Sequence, residues 1–489
     1  MTKYRQFGAP IGGHGRLPLT VVEPEPDRTV PFPVSSATAA AILAVVAGLT
    51  APLAHGASQP LPPDGPCLPP PPKATLTLAQ ARQDALRCNR DIIAARRGEE
   101  ASQADIQIAS QRPNPVLSVG VQNINPHAGV GSGNLRSKTV DSTFRIDQLI
   151  ETANKGNLRK DAAQKASVAA GEAVQAVVAQ QTGAVEQAFY DAVVSQERVQ
   201  VLSETVALYT RTQQANETRL KAGDVSRADV TKLQLDNLRA QNDMRQAMAD
   251  HMRDKAQLAQ AMGVPGTLAD NRLVADWPSL DEPTPPVDLE IAQRRPDVTA
   301  AEARLAAAAS ARDLARAGRV PDVTVGAQYE HYPISETNTN GSGNSYGVFV
   351  SIPLFVRHSN GGEARRAEVD YYAALDDRNR VLLEAQNEVE RLRNQLEAAR
   401  LSLRQMRESV VPAAESVAGS AEFAYTKGAT GVLDLLDARR ALRQTRLDAT
   451  NAQGDYAKAL SAYRTALQST TTPVSSIPNS QVRTDAPRP

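Results

Sequence analysis

Pro115-Val116-Leu117-Ser118-Val119-Gly120-Val121-Gln122 returns later in the chain as Pro321-Asp322-Val323-Thr324-Val325-Gly326-Ala327-Gln328. The likeness extends in both directions. Asp91 matches Asp297 upstream, and Leu149, Gly156, Gly223 and Asp229 match Leu354, Gly361, Gly428 and Asp434 downstream. The offset stays at about 205 residues throughout, the signature of a tandem duplication. Each copy reads as a helix, two strands, and a very long helix that turns back on itself. Such a unit leaves strand edges and a helix face that only neighbours cover, which is a way of lining a tube.

The strand segments alternate. In 116–124, Leu117, Val119 and Val121 lie opposite Ser118, Gly120 and Gln122; in 142–150, Phe144 and Ile146 lie opposite Arg145 and Asp147. The second copy has strands at 320–329 and 346–355. One apolar and one polar face suit a barrel wall with lipid outside and water inside. Gly- and Asn-rich loops join each pair, through 125–133 and 338–344. The long hairpins span 156–262 and 361–468. Their apolar positions fall on heptads: Val178, Val185, Ala192, Val199 and Val206 in the first, Leu382, Val389, Leu396, Leu403 and Val410 in the second. That spacing predicts coiled-coil packing, with a kink or unwinding near Pro412. Shorter helices are expected before the strands, at 76–111 and 287–318. The fold class is therefore mainly α with a small transmembrane β part. Four strands do not close a barrel around a channel, whereas three chains contributing four each do.

Lys plus Arg and Asp plus Glu balance at 54 each, so no basic field points to nucleic acid. Residues 1–57 read as a signal segment with an apolar run from Thr38 to Ala54. Its long upstream stretch implies either a misassigned start or an unusually long signal. A Pro-rich tether covers 58–75, the first repeat 76–264, a linker 265–286, the second repeat 287–468, and a polar tail 469–489. Cys67 and Cys88 are read as chemically inert; a disulfide in an oxidising compartment and a lipidated Cys67 are the alternatives. The six histidines are nowhere paired at metal-ligand spacing. Met244, Met248 and Met252 form a packing stripe. No phosphate loop, nucleophile elbow or zinc-protease motif occurs, so neither catalysis nor a cofactor is expected.

The hairpin tips carry a resemblance. Tyr425-Thr426-Lys427-Gly428-Ala429-Thr430-Gly431-Val432-Leu433-Asp434-Leu435-Leu436-Asp437 and Gly223-Asp224-Val225-Ser226-Arg227-Ala228-Asp229 resemble the periplasmic tips of the TolC family of trimeric outer-membrane efflux channels. Gln148-Leu149-Ile150-Glu151-Thr152, followed by Lys155-Gly156 and Arg159, looks like the heavy-metal (cobalt-zinc-cadmium type) branch. Asn154 and Gly156 depart from that branch's usual residues, so the substrate stays open.

The resemblance implies a homotrimer in outer-membrane lipid, with a periplasmic adaptor and an inner-membrane pump as partners. It implies a periplasmic gate at Asp434, Asp437, Tyr425 and Asp229, and adaptor docking at Gly223, Val225, Gly428, Thr430 and Val432. Threefold symmetry would turn Asp434 and Asp437, one helical turn apart, into carboxylate rings. The rival reading makes Asp434 a stabiliser of its helix N-terminus. Thr430 stands where the family has a basic residue, which alters the closed-state lock. The expected function is a passive exit duct for heavy-metal cations. The alternatives are a duct for organic compounds or secreted polypeptide, and a pore-less periplasmic scaffold.

Overall fold

The computed structural model describes residues 67, 71, 74–124, 140–281, 289–333 and 343–467. The expected signal segment, most of the expected tether, the loop residues 125–133 and 338–342, linker residues 282–286 and the expected tail 469–489 lie outside them.

Strand β1 (Thr75–Thr77) leads into α1 (Leu78–Cys88) and α2 (Arg90–Ser110). The expected single helix over 76–111 is thus two. Asn89 adopts an extended backbone (φ −63°, ψ 126°), and its side-chain oxygen accepts from the N–H groups of Asp91 and Ile92. Its amide also donates to Ala261 O at 2.8 Å, so the break is held by tertiary contact as well as by capping. The second copy breaks at the matching place, between α5 (Leu289–Gln293) and α6 (Pro296–Ala317), where Pro296 opens the helix.

Strands β2 (Val116–Gln122) and β3 (Asp141–Ile150) precede α3, which runs from Lys155 to Ala222, 68 residues. At 1.5 Å per residue it is about 100 Å long. Gly223, at φ 83°, ends it, and α4 (Arg227–Met262) returns. In the second copy, β5 (Val323–Tyr332) and β6 (Gly343–Ser351) precede α7 (Gly361–Gln405). Both strands are offset toward the loop relative to expectation, and Pro353, lacking an N–H, lies beyond the end of β6. One π-helical turn (Met406–Val410) then joins α7 to α8 (Val411–Thr426), absorbing Pro412 without ending the helix. After a turn at Gly428 (φ 75°), α9 (Val432–Ala466) returns. The heptad positions Val185, Ala192, Val389, Leu396 and Leu403 are buried, as their spacing predicts.

The linker is more structured than its prolines suggest. It contains β4 (Arg272–Val274), which pairs in parallel with β1. The Lys255 ammonium donates to the carbonyls of Ala269 and Asn271. The Asn271 amide donates to Pro71 O and Ala74 O, and Trp277 stacks on Tyr190 at 5.8 Å. The linker and the described tether residues thus pack against the middle of α3 and the C-terminal end of α4. A disulfide, Cα–Cα 5.6 Å, ties Cys67 to Cys88 at the end of α1, using the sulfur that a lipid on Cys67 would need.

Gly263 ends α4 at φ 74°, where a Cβ would collide with the Cys88 carbonyl. Gly263→Ala therefore combines left-handed strain with backbone overlap and should destabilise by about 2 kcal/mol or more. Gly428→Ala has similar φ and open space around it, so it should cost only the strain. Thermal unfolding of the two variants checks the difference.

Candidate functional site

The two hairpin tips meet. Val432 and Leu436 of α9 are buried against Tyr209 of α3 and Leu233 and Ala240 of α4. This apolar contact docks the second hairpin on the first, and polar groups fasten it around the rim. The Tyr425 hydroxyl donates to Asn216 Oδ1, while the Asn216 amide donates to Thr212 O at 2.9 Å. Asn216 is only 1% exposed, so its pairing with Tyr425 satisfies a group removed from water. The Arg219 guanidinium lies 5.4 Å from the Tyr425 ring centre.

Of the residues expected at the gate, Tyr425 ties the second hairpin to the first through Asn216. Asp229 is engaged by its own helix start: its N–H donates to Ser226 Oγ at 3.1 Å, and that hydroxyl donates to the Asp229 carboxylate at 2.7 Å. The Thr430 hydroxyl, at the position of the missing basic residue, is buried and makes no hydrogen bond among the described residues.

Further up α9, arginines reach across to the first hairpin. Arg439, 8% exposed, donates to Thr212 Oγ1 at 2.5 Å and to Glu422 at 3.3 Å. Arg440 donates to both oxygens of Asp236 on α4, at 2.7 and 2.6 Å, and to Asp437 at 3.0 Å. The Asp236 hydrogen bond holds the Arg440 guanidinium pKa above its ordinary value. Arg443 reaches Asp243 at 3.2 Å, one heptad beyond Asp236. These residues were missed from the sequence, although arginines at 439, 440 and 443 facing acids at 236 and 243 formed a legible charge pattern.

Asp434 lies exposed in the first turn of α9 and makes no side-chain hydrogen bond or ion pair among the described residues. The Asp437 side chain is 72% exposed and shares Arg440 with Asp236. Gly223 and Gly428 are exposed at the turns, and Val225 is half-buried beside Gly223.

The other end is a four-stranded antiparallel sheet of order β2-β3-β5-β6. Its register aligns Leu117, Ile146, Ala327 and Val348 across one rung, and Val119, Phe144, Tyr329 and Tyr346 across the next. The three rings of that second rung follow one another at 6.4 and 5.5 Å between centres. This apolar face is bare: Val348 is 79% exposed and Val350 65%. The opposite face carries Ser118, Arg145, Asp147, Gln328 and Glu330. Among the described residues neither β2 nor β6 has a partner on its outer edge. An apolar band bordered by aromatics on one face and charges on the other is the pattern of a membrane barrel wall.

The segment Gln148–Arg159, which resembles the heavy-metal branch, sits where sheet meets helix. Thr152 donates its N–H and hydroxyl to Asp322 and its hydroxyl to Pro321 O; Lys155 reaches Asp322 at 2.8 Å, and Arg159 pairs with Glu151. Its residues build a joint between the two repeats. Among the described residues, no helix is long and apolar enough to cross a membrane, and no cluster of three or more His, Cys, Asp or Glu is placed to hold a metal ion.

A membrane-type sheet at one end of long coiled-coil hairpins defines the class of outer-membrane efflux ducts. The sequence matches the family model described as outer membrane efflux protein over residues 81–264 and 289–468, and the chain belongs to that family, of the TolC type. It is similar to the cobalt-zinc-cadmium resistance protein CzcC of Cupriavidus metallidurans, 26% identical over 381 residues that span 76% of this chain and 85% of that protein. It is also similar to Protein CyaE of Bordetella pertussis, 30% identical over 328 residues, 63% of this chain and 65% of that protein. The fold matches the CmeC outer membrane channel of Campylobacter jejuni with a TM-score of 0.67 at 16% identity, covering 80% of this chain and 85% of that one. The protein is not an enzyme; it resides in the outer membrane, its helical part extends into the periplasm, and it serves as an efflux duct.

Proposed function

We propose that three copies of this chain form a passive exit duct for heavy-metal cations. Each copy gives four strands to a closed barrel and two helical hairpins to a periplasmic cylinder. The duct works with a periplasmic adaptor docked at Gly223, Val225, Gly428, Thr430 and Val432, and with an inner-membrane pump that supplies the energy. The observation that carries this reading is the sheet, apolar on one face and with no partner at either edge among the described residues, joined to a helix about 100 Å long.

The tips form the gate. Tyr425, Asp434 and Asp437 lie at the narrow end, and Asp229 fixes the start of the returning helix beside them. Likeness to the cobalt-zinc-cadmium resistance protein supports metal cations as cargo. Deleting the chain from its host should raise cell-associated zinc, cobalt or cadmium several-fold under metal challenge, and restoring it should reverse the rise. Unchanged metal content with retained organic dye would transfer the cargo to organic compounds.

A further inference from the structure

The polar face of the sheet contains a clamp that the tips do not explain. Arg145 and Asp147 lie on the same side of β3, and the Arg145 Nε–H donates to both Asp147 oxygens at 2.9 and 2.8 Å. The Phe349 ring on β6 reaches across β5 and sits 4.4 Å under the Arg145 guanidinium. Two glycines make this reach achievable. Gly326 separates Asp147 from Phe349 on one rung, and a Cβ there would collide with the Asp147 carboxylate. Gly347 lies two residues from Phe349, where a Cβ would come within 2.9 Å of the ring. Carboxylate, guanidinium and aromatic ring are thus fitted into space kept clear by two missing side chains. Each partner limits the freedom of the next.

The strands contribute few other charges to this face. Register places Asp141 opposite Gln122 and Glu330 opposite Thr143, on the same side as Arg145 and Asp147. The four strands therefore give this face three carboxylates and one guanidinium, and the guanidinium is held against one of the three. Any closed arrangement of identical chains keeps that ratio.

We propose that the clamped Arg145 on this face sets how strongly the barrel lining prefers cations. The proposal rests on the duct reading above. By neutralising Asp147, Arg145 leaves Asp141 and Glu330 as the carboxylates of the four strands with no cationic partner among the described residues, so cations concentrate along this face and anions are held back. Without Arg145, a third uncompensated carboxylate joins them; without Asp147, a released guanidinium opposes them.

The test is the reversal potential of single channels across a tenfold potassium chloride gradient, in the Asp434→Asn, Asp437→Asn background so that tip carboxylates do not mask the barrel. The parent should prefer potassium. Arg145→Gln should raise the potassium-to-chloride permeability ratio at least twofold, Asp147→Asn should lower it, and Arg145→Lys should restore the parent value. Conducting channels in which Arg145→Gln and Asp147→Asn match the parent, or shift in the same direction, overturn the proposal and leave the duct intact. A folded, bilayer-inserted parent that carries no current even when Asp236→Ala is added to release the tip overturns the duct reading, and the lining with it.

Discussion

Asp236→Ala should open the tip. Asp236 is 6% exposed and receives two short bonds from Arg440, so it joins α9 of the second hairpin to α4 of the first. Its removal leaves Arg440 with Asp437 alone, a contact within one helix that holds nothing across the hairpins. Charge-assisted bonds of this kind contribute about 1.5–3 kcal/mol when desolvated. Arg440 is 46% exposed, so solvent recovers part of the loss and about 1–2 kcal/mol is expected to remain. Since 1.4 kcal/mol is about a factor of ten, the open population should rise roughly tenfold. Single-channel open probability measures it. Glu415→Ala breaks the Arg446 pair, which lies within the second hairpin and is exposed on both sides, and should leave gating unchanged.

Asp434→Asn should abolish most of any block by divalent cations, and Asp437→Asn should do so less. The two acids differ in their surroundings. Asp437 shares a guanidinium with Asp236, whereas Asp434 has no cationic partner among the described residues. Brought together by threefold symmetry, the Asp434 side chains carry the greater uncompensated charge, and a ring of carboxylates holds a divalent ion more tightly than a monovalent one. Current recorded with increasing magnesium or zinc on the tip side reads out the effect. If Asp434 only steadies the helix start, Asn at that position costs a few tenths of a kcal/mol of stability and leaves the block in place.

Much of the fold was legible because its signals are local and periodic. Heptads at Val185, Ala192, Val389 and Leu396 mark buried seams, and alternation around Val119 and Phe144 marks strands. The duplication assigned the same plan to both halves. What escaped was set by contacts between distant segments. β1 and β4 are three residues each, too short for a period, and they form because Asn271 ties the linker to the tether, while Lys255 anchors the linker to α4 and the disulfide anchors the tether to α1. The break at Asn89 looked like continuous helix until its amide found Ala261.

The tip divides in the same way. Gly223 and Gly428 declared the turns through backbone chemistry, and Asp434 declared the helix start. The partner of Tyr425 is Asn216, an unremarked residue inside a long helix, and nothing in the spacing of either singles it out. The arginines of α9 were visible as charges, but an exposed helix face is usually only solvated; pairing with α4 gives them meaning.

The most direct test of the duct is planar-bilayer recording from purified protein, wild type beside Asp236→Ala. Discrete, long-lived conductance steps from a trimer, more frequent in Asp236→Ala, are what the account predicts. Folded, membrane-inserted protein that stays monomeric and carries no current in either form would contradict it.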